Sequence, residues 1–245
     1  VRSMLISASQ ISGLPKAAID DHLTAICERT SFHPMKKWLD DGDEWDGQKR
    51  VDAVINCLKT KKPELTSIVM RKWLIGCVAC LYETEFRSKL IPVLQGEQSW
   101  RKSAFIERIA KVIDGAFLEG AELNPDNKDS VLSCIKSWIV ELGELERSTR
   151  NSQGSLKAFI TKEVDTVRPP YGRTDVKKPR QTNFIASVNG DSFLKDDTGS
   201  ARYAVLVMTG VPDMDTLNDL LGWNWNEGKL RLVNPDNLRQ FWLEI

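Results

Sequence analysis

Lys89-Leu90-Ile91-Pro92-Val93-Leu94-Gln95-Gly96-Glu97-Gln98-Ser99-Trp100-Arg101-Lys102-Ser103 is the stretch that decides the fold. A short apolar run, a turn opened by Gly96, and then Lys102-Ser103 leading into Phe105, Ile106, Ile109, Val112 and Ile113 at helical spacing predict strand, loop and helix. The phosphate-binding pattern G-x-x-x-x-G-K-[ST] belongs at such a junction, because backbone N–H groups and a helix N-terminus face an anion there. Gly96, Lys102 and Ser103 stand at the pattern's offsets, but Arg101 occupies the place of its second glycine. Glycine suits that place because the backbone passes the anion without a Cβ. Lys102 is expected to be exposed where the loop meets the helix.

Working outward, a second apolar run, Trp138-Ile139-Val140-Glu141-Leu142-Gly143-Glu144, ends in carboxylates. That is how a buried parallel strand reads when its last acids reach a metal ion and the attacking water beside a phosphate loop. Thr182 to Asn189 is a further buried-type strand with a polar end, and Arg202 to Val207 another. Strands alternating with helical stretches indicate an α/β sheet. Before Lys89 the apolar spacing is helical: a helix within residues 15 to 30, then Val51 to Leu58, then Ser67 to Tyr82. A short strand is expected at Ile113 to Leu118, and a helix capped by Asp129 runs to Lys136. The expected division is a helical N-terminal region over 1–88, a core over 89–210 and a C-terminal extension over 211–245.

Lys+Arg and Asp+Glu number 34 each, so no global charge argument points to nucleic acid or membrane. Charge is nevertheless concentrated: Arg147 to Arg180 carries nine basic and three acidic residues, a net of +6. Within it, Arg168-Pro169-Pro170-Tyr171-Gly172-Arg173 is a stiff loop with both phosphate-binding and base-stacking side chains, against the plain alternative of a solvated excursion. The five cysteines are an odd number in mostly helical contexts, which fits a reducing compartment. Cys77-Val-Ala-Cys80 lacks the second pair of a zinc site, so two small buried residues on one helix face are expected. Asp40 to Asp46 is acidic but lacks the ordered Ca²⁺-loop pattern. No export signal or membrane-spanning run is expected.

Four places together resemble the virulence-associated E (VapE/VirE-like) family of phage and mobile-element proteins. They are Trp45-Asp46-Gly47 with Arg71-Lys72-Trp73-Leu74-Ile75; the Gly96-x-Gln98-x-x-x-Lys102-Ser103 loop; Trp138 to Leu145; and Arg168 to Arg173 followed by Asn189 and Asp197 to Tyr203. The resemblance implies a P-loop NTPase core, like AAA+ proteins and superfamily 3 helicases, that binds ATP and Mg²⁺ and works on DNA, single-stranded or at a replication origin, as a homo-oligomer or ring in the bacterial host cytoplasm. It implies that Gly96, Gln98, Lys102 and Ser103 hold the nucleotide, that Ser103 and Glu141 hold the metal, and that Glu141, Glu144, Asn189 and Arg202 act in hydrolysis. Arg202 resembles an arginine lent to a neighbouring subunit. Lys157, Arg168, Tyr171, Arg173 and Arg180 are the candidate nucleic-acid contacts. Two alternatives stay open beside an ATP-driven motor: a DNA- or protein-binding module that has lost hydrolysis through Arg101, and a P-loop phosphotransferase.

Overall fold

A computed structural model describes residues 2–19, 22, 32–86, 88–143, 150–168, 175–190 and 202–245. Helices α1 (Arg2–Ile11), α2 (Pro34–Asp40), α3 (Val51–Asn56) and α4 (Pro63–Tyr82) come first. Then follow β1 (Ile91–Gln95), α5 (Lys102–Ala110), β2 (Phe117–Ala121), α6 (Lys128–Ile135), β3 (Ile139–Leu142) and α7 (Arg150–Ile160). A ribbon of β4 (Val164–Val167) and β5 (Val176–Pro179) precedes β6 (Asn183–Val188) and β7 (Tyr203–Val207). The remaining elements are α8 (Met214–Leu221), the hairpin β8 (Trp223–Asn226) and β9 (Lys229–Leu232), and α9 (Pro235–Leu243).

The apolar runs form one five-stranded parallel sheet in the order β2-β3-β6-β1-β7. Every residue of β1 and of β3 is buried, as expected of strands covered on both faces. Alternation sorts the side chains. Leu94, Ile139, Ile185 and Leu206 join one core, which continues into residues of α2 to α5, α8 and α9. Val93, Val140, Leu142, Phe184 and Ala186 join a second core beneath α6 and α7.

Several boundaries differ from expectation for local reasons. Pro63 at the first turn lets α4 begin four residues early, since its missing N–H has no partner to lose there. Asn127, not Asp129, caps α6, its side chain accepting from Asp129 N and Ser130 N. The strand expected at Ile113 to Leu118 starts instead at Phe117 and carries an irregularity before Ala121. By length and composition alone α4 is long and apolar enough to cross a membrane, with a mean hydropathy of 1.4 over its most apolar window, though Glu64, Arg71 and Lys72 interrupt it. Half of it is buried inside the fold, which is how the central helix of a core reads.

Four buried tryptophans tie the layers. Trp73 donates to Phe184 O at 2.9 Å, Trp138 to Cys77 O at 2.8 Å, Trp223 to Arg108 O at 3.1 Å and Trp242 to Ile109 O at 3.0 Å. Each buries a large ring and satisfies its one N–H on a carbonyl of another element. The segment after β7 is part of the core. Leu238, Phe241 and Trp242 of α9 are buried, and Trp242 lies 4.5 Å from Trp138, centroid to centroid. Arg239 donates to Leu39 O and Asp43 O, Gln240 accepts from Asp46 N, and Glu244 accepts from Arg50 N and Val51 N at the start of α3. The Trp45-Asp46-Gly47 turn is therefore held from the far end of the sequence.

Trp242→Ala should cost about 3–5 kcal/mol, the range for emptying a buried aromatic site. Urea unfolding would show this as a lowered midpoint at unchanged slope. Trp242→Phe, which keeps most of the ring and forfeits the bond to Ile109 O, should lose clearly less.

Candidate functional site

Strand register brings the candidate residues together. Gln95 pairs with Val188, Leu94 with Ser187, Glu141 with Ile185 and Leu142 with Ala186, so β1, β3 and β6 end side by side. The loops opened by Gly96, Gly143 and Asn189 leave the sheet at that common edge. The sheet also divides there: from β1 the chain travels across to β2, while from β6 it travels the other way to β7. Such a reversal of direction between neighbouring strands is where open α/β sheets take their ligands, beyond the carboxyl ends of the strands.

Glu141 sits at the centre. Side-chain alternation puts it on the same face as Ile139, toward α5, and it is 0% exposed. Its Oε1 accepts from Ser103 Oγ at 2.6 Å and from Ser187 Oγ at 2.6 Å. Its Oε2 is buried with no hydrogen-bond partner among the described residues. Burial raises its pKa above the ordinary carboxylate range, the Ser103 and Ser187 hydroxyls oppose that, and the nearby Glu119 carboxylate reinforces it. A lone buried carboxylate oxygen beside a hydroxyl is an acceptor set that fits a hard cation such as Mg²⁺. Ser187 was not among the sequence candidates. Its only signal is a hydroxyl inside the apolar run Phe184 to Val188.

Lys102 opens α5 but is not exposed: at 6% exposure, its Nζ donates to Gly96 O at 2.9 Å, Glu97 O at 2.7 Å and Asn189 Oδ1 at 2.9 Å. The expectation of an exposed lysine is corrected, because the loop curls its carbonyls over the ammonium. Asn189 is thereby joined to the loop that opens at Gly96. Gln98 is exposed on the loop. A Cβ at Gly96 would meet the Trp100 ring at 2.7 Å and Met208 Cβ at 3.2 Å, so the glycine lets that indole close onto the loop's start. Arg101 has φ 52 and ψ 30, the left-handed region. The pattern's glycine is thus missing at a place where the backbone favours one, and an L residue there costs about 1–2 kcal/mol.

The other candidates lie apart. Arg202 precedes β7, and its carbonyl accepts from Ile91 N at the opening of β1. Five residues of strand separate it from the loop, about 16 Å at 3.3 Å per residue. Arg180 is no surface contact, and that expectation is corrected: it is 8% exposed, its Nε and Nη2 meet Asp165 at 2.7 and 2.5 Å, and its guanidinium lies 4.4 Å from the Phe159 ring centroid. A buried carboxylate across the β4–β5 ribbon holds it. Arg168 is exposed and pairs with Asp175 at 2.9 Å where the ribbon opens. Glu144, Tyr171, Arg173 and the side chain of Lys157 lie outside the described residues. Cys77 and Cys80 are buried and free, as the helix-face reading expects, and burial pushes the Cys80 thiol up to about 11. Among the described residues no group of three or more His, Cys, Asp or Glu could hold a metal.

A sequence model described as the virulence-associated protein E-like domain matches residues 39–231. No curated protein matches the chain. Among solved structures, the apo structure of the NrS-1 C-terminal region (305–718) is similar with a TM-score of 0.56 at 16% identity, over 88% of this chain and 49% of that one. The A form apo structure of the same region gives 0.56 at 17% identity, and a further one 0.51 at 14%, over 84% and 46% of the two chains. The chain spans about half the length of these solved relatives, and likeness at such identity speaks for the fold alone.

Because the folded state favours the protonated Glu141 carboxyl, its contribution to stability is full below the ordinary carboxylate value near 4.5 and is lost as pH rises through its raised folded value. Glu141→Gln, which fixes the neutral form, should melt higher than wild type at pH 7.5 in metal-free buffer. The gap should close toward pH 4, a trend that melting scans across this range would check.

Proposed function

The chain belongs to the virulence-associated protein E-like domain family, and from that premise we propose that it is an ATP-binding, ATP-hydrolysing protein with a helicase-like role in the DNA replication of a phage or mobile element. One observation carries this reading: at the start of α5, beside a turn at Gly96, Lys102 bonds Asn189 beyond the end of β6 while the next residue, Ser103, bonds Glu141 near the end of β3. Strand order supports it, since the strand leading to the phosphate loop lies beside the one ending at Asn189, which lies beside the one holding Glu141.

In this reading Lys102 exchanges loop carbonyls for β/γ-phosphate oxygens, and the N–H groups opening α5 face the same anion. Ser103 and Glu141 would hold Mg²⁺, which when bound withdraws charge from the phosphate oxygens. Asn189 orients the attacking water or senses the terminal phosphate. Glu141 or Glu144 polarises that water. Arg202 is too distant to serve its own site and would complete a neighbour's, which makes hydrolysis depend on assembly. The exposed Arg168, with Tyr171 and Arg173 after it in sequence, would meet single-stranded DNA. A second reading, a module that binds without turnover, is favoured by Arg101 in the left-handed place of a glycine.

Titrating Mg–ATP with and without single-stranded DNA separates the two. The first reading expects turnover stimulated by DNA, with Lys102→Ala abolishing nucleotide binding while remaining folded. Binding without turnover under any condition supports the second, and an undiminished Lys102→Ala chain rejects the site altogether.

The role of Arg202 has its own test. Arg202→Ala should keep ATP binding and lose about 10³-fold or more in turnover. Mixed with Lys102→Ala, it should recover activity once crosslinking shows mixed oligomers. A strictly monomeric protein saturated with ATP would eliminate the role in trans.

A further inference from the structure

We propose that Arg101 is itself a ligand for the terminal phosphates of the nucleotide, an inference that rests on the nucleotide reading above and deepens it. Arg101 is the N-cap of α5, one residue before Lys102 and two before Ser103. The site it borders is built for a ligand on independent grounds: the fully buried Glu141 carboxyl, bonded to Ser103 in the first turn of α5, keeps Oε2 without a partner among the described residues.

The charges of the loop are unequally committed. Lys102 Nζ already serves three oxygens of Gly96, Glu97 and Asn189. Arg101 is exposed, and its guanidinium forms no hydrogen bond or ion pair among the described residues, not even with Glu97, the carboxylate of the same loop. It is thus the loop's uncommitted cation, carried where an anion approaching the helix N-terminus arrives.

Arg101 also occupies that place at a conformational cost. Among the described residues, Ser99, Arg101 and Glu227 are the non-glycine residues with positive φ, and two of the three lie in this loop. A glycine would take the same backbone without strain. What the arginine adds is a planar fork of N–H donors that grips phosphate oxygens two at a time, which neither glycine nor lysine offers. In this view Arg101 restores in charge what the loop gives up in backbone freedom, and it engages the part of the nucleotide that distinguishes ATP from ADP.

The test compares wild type, Arg101→Gly, Arg101→Lys and Arg101→Gln by calorimetric titration with Mg–ATP and Mg–ADP, alongside melting temperatures. Arg101→Gly should weaken Mg–ATP about tenfold to a hundredfold, as expected for loss of a charge-assisted pair. Mg–ADP should lose distinctly less, and the melting temperature should hold or rise. Arg101→Lys should recover only part of the affinity, and Arg101→Gln, which drops the charge without adding glycine's freedom, should match Arg101→Gly. An Arg101→Gly chain that binds Mg–ATP as tightly as wild type, or more tightly, overturns the inference and leaves the nucleotide reading standing. Equal losses for both nucleotides overturn the assignment to the terminal phosphates. Absence of any nucleotide binding by wild type removes the nucleotide reading and this inference with it.

Discussion

A parallel sheet covered on both faces leaves polar groups little room except at the ends of its strands, because a buried charge or unpaired donor has no water to turn to. Glu141 breaks that rule one residue before the end of β3, and the surrounding elements answer to it. Ser103 from α5 and Ser187 from β6 converge on one of its oxygens. Their positions follow from a register in which three neighbouring strands stop together. Moving any one strand by a residue would turn its side chains to the opposite face and take the cluster apart.

The second core beneath α6 and α7 solves a related problem differently. Arg180 and Asp165 are both buried, but they meet bidentately, and the guanidinium lies over Phe159. Such a pair contributes little net stability, yet removing one partner strands the other in an apolar setting. The pair fixes how the β4–β5 ribbon leaves the layer, and so where the ribbon opens at Arg168 and Asp175. One buried charge is thus left partly open beside the strand ends, while the other is paired on two of its nitrogens and holds an outgrowth in place.

The features legible in the sequence were those carried by local patterns. The offsets of Gly96, Lys102 and Ser103, the apolar runs and the +6 segment need only neighbouring residues to be seen. What escaped depends on partners distant in sequence. Arg180 counts as surface charge until Asp165 is found opposite it across a ribbon. Lys102 looks exposed until the loop folds its own carbonyls back and Asn189 arrives from another strand. Ser187 shows in the sequence only as a hydroxyl within an apolar run; the pairing of β6 with β3 sets it beside Glu141. Helix starts shifted by a few residues wherever proline or asparagine chemistry outweighed apolar spacing, as at Pro63 and Asn127.

The hold of α9 on the turn before α3 bears on the order of events during synthesis. Among the described residues, Asp46, Arg50 and Val51 find acceptors for their backbone N–H groups on Gln240 and Glu244, some 190 positions later in the chain. Trp138 likewise meets Trp242 only when that helix arrives. At about 5–20 residues per second, a ribosome delivers this closing piece roughly ten to forty seconds after the turn it secures. Until then the helical layer carries an open apolar seam. The interval is long enough for a chaperone to be the seam's first partner, one that α9 would then have to displace.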